Sequence, residues 1–564
     1  MPPILVYEQN RPYIIEQFHH GHFDYIDVVQ EVAQRDFFRY VTTTQLLERL
    51  AASYPWPREK EEVPRWFYLA ADMAMRLHGN HAFHGFPWVV STGGLLSAFG
   101  PEVGGKRIDK ETGQLRIECK GFNDKNSYPR QTPCDPDFLR KIAKDTPADQ
   151  LMRWFNEAVQ PIFRRHRFFD KAGIFIGDGS YIFVPDNEHY EGSVKMFFDE
   201  HNHPVGEARQ KTMSAAELKR CRWRRCYKMV SLLHTNESGD FFLYAAVRIV
   251  PGNVHECPVL WEMIDEFISV MGKGVIKDLI LDRGFLDGEA IAKAKTHYQI
   301  DVTIGVRRNM NVLEDALGLV KLHEVQWQSY TREPSEPPVP FKRHYADAPR
   351  PEHIERSEAA RQRTLAAKRE SGELPPIKEP EQLMIARFKD LTSWASCPIP
   401  LDLVLCRDQH DETLDTVWGI LTTARHEQQP APAVKRYHLR VLIEERHRHL
   451  KCFWDLAKFT SPCFALVVNQ VVFTALTYSL LQQQILKQAR KALNKATKSR
   501  MLEELVPVSD HVIVYTNHYY AAFHSLDYTS MVLDVPEEAR QKLRDLIKRK
   551  QSQMRLTVVA DSSP

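Results

Sequence analysis

The chain has 564 residues, 43% of them hydrophobic and 26% charged, with a formal net charge of +2. That length allows several domains, or one large core carrying insertions, and the composition excludes a chain too polar to bury a core. The near-zero net charge does not by itself point to a nucleic-acid partner, because a basic surface can be balanced by acids elsewhere. Nine scattered cysteines and an N-terminus, MPPILVYEQNRPY, with no signal-peptide pattern argue for a reducing, cytoplasmic setting with free thiols.

Residues 1–165 read as a mainly helical region, with TTTQLLERLAASY and EEVPRWFYLAADMAMRLHG carrying apolar residues at helical spacing. From Gly173 the texture changes. GIFIGD is a short apolar run ending in an acid, and YIFVPD follows it. YKMVSLLHT and FFLYAAVRIVPG predict a strand pair across the turn-forming NESGD. PVLWEMIDEFISVMG predicts a helix, KDLILD a buried strand, LDGEAIAKAKTHY a helix and IDVTIGV a strand. A β-meander followed by alternating β and α predicts a mixed-sheet α/β domain, whose first part spans 166–310.

The pattern breaks after Arg307 and Arg308. Nine prolines between 334 and 380 flank the polar stretch HIERSEAARQRTLAAKRE, which fits an insertion, placed at 311–433. LDLVLCRD and DTVWGILTTA resume strand texture within it. VKRYHLRVLIEERHRHLKCFWDL then predicts a long helix, opening a second part of the α/β domain at 434–490. PCFALVVNQVVFTALTYSLL, residues 462–481, is long enough to suggest a membrane span, but Asn469, Gln470, Thr474 and Thr477 interrupt it and glutamines follow. We read it as a buried core helix, with no membrane partner. The tail 491–564 is expected to be helical.

Two acids stand at telling places. Asp178 closes GIFIGD and Asp282 closes KDLILD, each delivering a carboxylate where a buried sheet meets solvent. Either alone fits a turn or capping acid. If the two strands are neighbours, the carboxylates lie close together and repel unless they share a proton or a cation, so a divalent metal is the natural partner. On the long helix, at about 100° per residue, Tyr437, Arg440, Glu444 and Lys451 fall within roughly 60° of one another, with Arg448 on the same side. Glu445 points about 100° away. A stripe of phenol, guanidinium, carboxylate and ammonium is odd for a solvated face. Glu444 is therefore the candidate for chemistry and Glu445 for an ordinary surface ion pair.

The spacing Tyr437-x2-Arg440-x3-Glu444-x6-Lys451 resembles the Tyr–Arg–Glu–Lys signature of one branch of bacterial insertion-sequence DDE transposases. IGDGS resembles that family's first-aspartate motif and LILDRGF its second, and the long gap before Glu444 resembles the branch's β-rich insertion. The resemblance covers roughly residues 165–490; the stretch from about 185 to 226 has no counterpart in it.

The resemblance implies a ribonuclease-H-like mixed sheet flanked by helices and interrupted before the glutamate helix. Asp178, Asp282 and Glu444 would be catalytic and would hold two Mg2+ ions, with Mn2+ able to substitute. Tyr437, Arg440, Lys451 and Arg448 would bind DNA. It implies cut-and-paste transposition through end cleavage, a hairpin intermediate and strand transfer, with transposon ends and target as partners and a homodimer on DNA. Residues 1–165 would bind transposon ends and 491–564 would serve dimerisation, in a nucleoid-associated bacterial protein. The rival readings are a ribonuclease-H-like nuclease that does not join strands, and a domesticated transposase kept as a DNA-binding protein.

Other segments are less specific. KRCRWRRCYK, 219–228, interleaves cations with Trp223 and Tyr227, which suits backbone contact and stacking as well as a solvated hairpin. KQARKALNKATKSR, 487–500, has six cations and no acid. Trp327 and Trp394 lie where the family holds a displaced base, though packing explains either. The histidines of FHHGH and DEHNHP lack metal-binding spacing and read as surface loops, and Cys221 and Cys226 lack that of a zinc site.

Overall fold

The structure is a computed structural model that describes residues 8–23, 25–29, 32–91, 94–99, 105–108, 115–118, 122, 133–322, 325–332, 363, 366–367, 371, 380–411, 414, 416–488, 511–516, 519–538 and 540–541. Most of the polar stretch around 353–370, most of 487–500 and the Glu445 side chain lie outside the described residues. Two compact units emerge: Met1–Thr146 with His344–Ala348 and Lys498–Pro564, and Pro147–Arg343 with Pro349–Thr497.

The first unit is less helical than its sequence suggests. Helices Leu46–Ser53 and Arg65–His78 form as expected, the latter ending at Gly79 in the left-handed region. The tail, expected to be helical, supplies the helix Ser525–Asp534 but also strands His511–Thr516 and Tyr519–His524. These pair with Tyr25–Val29 and Glu8–Gln9 into a four-stranded sheet. The reason is legible in HVIVYT and YYAAFH, where β-branched and aromatic residues outweigh helix formers. Ile14, Phe18, Val514 and Phe523 close its core.

The second unit begins at 147, not 166. Asn156 explains the difference: its amide exchanges two hydrogen bonds with the Val247 backbone, 3.1 and 2.9 Å, tying the helical run to the sheet. The strands are β1 (Ile174–Val184), β2 (Val194–Phe198), β3 (Arg222–Thr235), β4 (Leu243–Pro251), β5 (Asp278–Leu281), β6 (Asp301–Gly305), β7 (Gln328–Arg332), β8 (Glu381–Leu391), β9 (Leu401–Asp408) and β10 (Trp418–Thr422). The principal helices are α1 (Glu256–Met271), α2 (Gly288–Tyr298), α3 (Asn311–Leu322), α4 (Ala431–Arg448) and α5 (Phe464–Lys487).

All ten strands join one mixed sheet, in the order β7-β8-β9-β10-β6-β5-β1-β3-β2, with β4 also on β3. β1, β5 and β6 run parallel; β3 is antiparallel to β1 and to β4. The insertion therefore does not stand apart: β10 pairs antiparallel with β6 and carries the sheet on through β9, β8 and β7.

Alternation along β1 sorts the two faces. Phe175 packs with α1 in a large apolar cluster that also takes in α2, α3 and residues of β5, β6 and β9. Gly177 makes that packing close, since a Cβ there would stand 2.5 Å from Leu260 Cδ2. On the other face, Ala433 and Val434 of α4 pack on Ile385, Val404 and Ile420. α5 is apolar enough to cross a membrane by length and composition, but 89% of its most apolar window is buried inside the protein, as expected of a core helix. Its polar groups find internal partners: Gln470 donates to Leu456 O at 2.9 Å, and Thr474 to Gln470 O. Trp327 and Trp394 pack against the apolar cluster.

Candidate active site

GIFIGDGSYIFV forms one strand, so Asp178 lies in the middle of β1 rather than at its end, where the sequence had suggested it. Gly179 and Ser180 do not break the strand, because β3 pairs with it along its whole length. β5 is as short as KDLILD suggests, and Asp282 follows its last residue as the cap of a short 3-10 turn, accepting the Arg283 N–H at 2.7 Å. The parallel register pairs Gly177 with Leu281. The next position on each strand is an aspartate, so both carboxylates stand at one level of the sheet.

α4 crosses β1, β5, β6 and β10, presenting its polar stripe to the two aspartates. Arg440 donates from both Nη atoms to Glu444 Oε1 at 2.9 Å and lies 3.5 Å from Asp282 Oδ2. Its own pKa is raised: burial opposes the charge, but Asp282, Tyr437, Glu444 and Asp178 outweigh it. Burial pushes the Asp178 carboxyl up to about 7, Arg440 and the Gly179 N–H pull it back, and Asp282 and Glu444 add to the rise. Three carboxylates and one guanidinium form a single electrostatic unit. Among the described residues no three acid, His or Cys side chains are already gathered as a metal cluster. Arg440 supplies the positive charge between Asp282 and Glu444.

The remaining residues of the stripe divide. Tyr437 leans on Trp418, ring centroids 6.1 Å apart, and burial raises its pKa. Its hydroxyl fills the space where Gly305 at the end of β6 has no side chain. Arg448 is exposed. α4 ends there, and His449–Phe453 forms a π-helical turn. Lys451 sits in that turn and donates to Ser180 Oγ at 2.6 Å, two residues along β1 from Asp178.

Sequence reasoning missed His447. It is buried three residues after Glu444, with Nε2 at 3.6 Å from Asp178 Oδ2 and 3.4 Å from Ser231 Oγ. Its Nδ1 lies 3.4 Å from the Tyr244 hydroxyl. Burial, with Lys451 adding to it, depresses its pKa to about 3, so it is a neutral hydrogen-bonding group. Its i+3 offset from Glu444 was the available signal.

Residues 192–480, just over half of the chain, match the family described as the transposase DDE domain. The chain belongs to that family. Asp282 and Glu444 fall inside the matched residues of this transposase domain, whereas Asp178 precedes them. Among solved structures, the transposase chain aligns with a piggyBac transposase in a synaptic complex with hairpin DNA, at 9% identity and TM-score 0.29, over 71% of this chain and 67% of that one. No curated protein sequence matches it.

Proposed function

We propose that the chain is a cut-and-paste DNA transposase of the bacterial insertion-sequence branch with the Tyr–Arg–Glu–Lys signature. Its catalytic domain is ribonuclease-H-like. The strand order β4-β3-β1-β5-β6, with β3 alone reversed, supports that fold. The observation that carries the activity is the placement of Asp178 and Asp282 at one level of neighbouring parallel strands, with Glu444 joined to Asp282 through Arg440.

The donor set fits hard divalent cations: three carboxylates, all oxygen ligands, one of them, Asp178, pushed up to about 7 by burial against the pull of Arg440. Asp178, Asp282 and Glu444 would hold two Mg2+ ions, or Mn2+ in their place; when bound, these supply a lowered pKa at the attacking hydroxyl and stabilise the departing oxygen. Arg440 balances Asp282 and Glu444 in the free protein. A DNA phosphate competes for its guanidinium and releases the carboxylates. Lys451 and Arg448 neutralise phosphates beside the cut, and Tyr437 orients the end nucleotide from its seat on Gly305. His447 fixes the orientation of Asp178. End cleavage, a hairpin and strand transfer follow on paired ends held by a homodimer. Residues 1–165 engage the ends and 491–564 support pairing, in the bacterial cytoplasm at the nucleoid.

The test is cleavage of labelled DNA carrying the gene's own flanking ends, with Mg2+. Wild type and Glu445→Gln should nick at the end, while Glu444→Gln binds and does not cut. Equal cutting by all three would remove Glu444 from the active site.

A further inference from the structure

The stretch from 185 to 226 builds an extension of the sheet. β3 is fourteen residues long; β4 covers its positions 227–234, and β2 pairs with 222–226 instead. The loop 199–204 and the short helices Glu207–Thr212 and Ala215–Arg220 complete the extension.

Trp223 is 58% exposed on it; Trp223 and Leu322 are the large hydrophobic side chains left exposed among the described residues. Trp223 rests on Phe197, ring centroids 5.1 Å apart, which holds the indole outward as a plate. A braced indole offers a large, rigid apolar face with a polar N–H at its rim, a contact surface available to a partner.

Three of the acids around it are engaged locally, while Glu188 and Glu207 are exposed: Asp199 accepts the His201 and His203 N–H groups at 3.0 and 2.8 Å, Glu217 closes a capping box with Ser214, and Asp186 pairs with Lys195 and Arg225. The cations Lys211, Lys219 and Arg222 are exposed, and Arg220 is 63% exposed in a surface pair with Glu200. Such a pair yields readily to a phosphate. Lys219, Arg220 and Arg222 stand within four residues of the indole, Arg222 as the first residue of β3 with its side chain on the opposite face by alternation. The tip of the strand therefore offers cations beside an apolar plate, complementary to a nucleic-acid backbone with a sugar against the indole.

Register places this plate relative to the candidate site. Asp178 pairs with Ser231, and Trp223 is eight residues along β3, on the same face by alternation. At about 3.3 Å per residue the separation is roughly 26 Å, which at about 3.4 Å per base pair is roughly eight base pairs of duplex.

We propose that the β2–β3 extension is a second DNA-contact surface, with Trp223 packing against backbone sugars and Lys219, Arg220 and Arg222 as its phosphate contacts, gripping duplex about eight base pairs from the cut. It rests on the transposase reading for the position of the cut, not for the contact itself.

The experiment measures binding of full-length protein to flanking-end duplexes trimmed stepwise on each side, for wild type, Trp223→Ala and the triple variant Lys219→Ala/Arg220→Ala/Arg222→Ala. Wild type should lose affinity by about tenfold when trimming on one side passes the eighth base pair, and the arm that matters identifies the side gripped. The triple variant should bind the long duplex as weakly as wild type binds the trimmed one, with a shallower salt dependence; Trp223→Ala should fall between. Circular dichroism confirms folding of both. Variants that keep wild-type affinity and trimming dependence overturn the proposal, as does a wild type that binds no DNA. Tight, length-dependent binding without any nicking would leave this surface standing and sink the catalytic reading.

Discussion

Two buried histidines on opposite faces of one sheet show how differently the same side chain is used. His234, on β3, lies among Phe169, Phe175 and Phe241, and its ring is satisfied by backbone alone: Asp170 N–H donates to Nε2 at 2.7 Å and Nδ1 lies 3.0 Å from Ile174 O. His447, on the other face, is surrounded by side chains, namely Asp178, Ser231 and Tyr244. Burial depresses both, to about 4 and about 3. The first is locked into architecture. The second touches groups that can be mutated or recharged, and its alignment bears on a candidate catalytic carboxylate.

The sharpest way to break the comparison is at the acids themselves. Asp282→Asn should reduce end cleavage on the order of 10³-fold while DNA binding persists, measured by gel assay at saturating protein. His234 comes next, through stability. Its folded pKa lies below the unfolded value of 6.5, so its contribution is present above that pH and is lost as pH falls from 6.5 towards about 4. The loss should reach about 3 kcal/mol at the acid end. His234→Phe should flatten that part of the stability–pH curve in denaturant titrations at stepped pH. His447→Phe should lower cleavage by roughly 10–100-fold with thermal stability near wild type. If it instead unfolds the protein and leaves the cleavage of its folded fraction unchanged, the two histidines are alike. The smallest effect concerns Arg440: with its guanidinium removed, Arg440→Gln should bind Mn2+ about tenfold more tightly than wild type in the absence of DNA, by calorimetry.

Much of this face was legible in the residues. The apolar runs before Asp178 and Asp282 predicted their delivery from a buried sheet, and the helical spacing of Tyr437, Arg440 and Glu444 predicted one stripe. What was hidden depended on pairing. Nothing local in GIFIGDGSYIFV says that a glycine and a serine after the acid continue the strand; β3 imposes it. The π-helical turn that seats Lys451 on Ser180 is invisible to a fixed angular period. The tail strands at 511–524 pair with each other, which their β-branched and aromatic residues make legible; their pairing with Tyr25–Val29 and Glu8–Gln9, almost five hundred residues or more earlier, lies beyond any sequence window. Asn156 likewise joins the sheet through a partner ninety-one residues away.

The shared ladder of β6 has a structural consequence. One edge bonds to β5, whose end carries Asp282, and the other to β10, the root of the inserted strands. The inserted strands are therefore tied to the strand before Asp282 by two adjoining ladders of backbone hydrogen bonds, β10 to β6 and β6 to β5. A one-residue slip of β10 against β6 would turn its side chains over and move the inserted strands' apolar residues from one face of the shared sheet to the other.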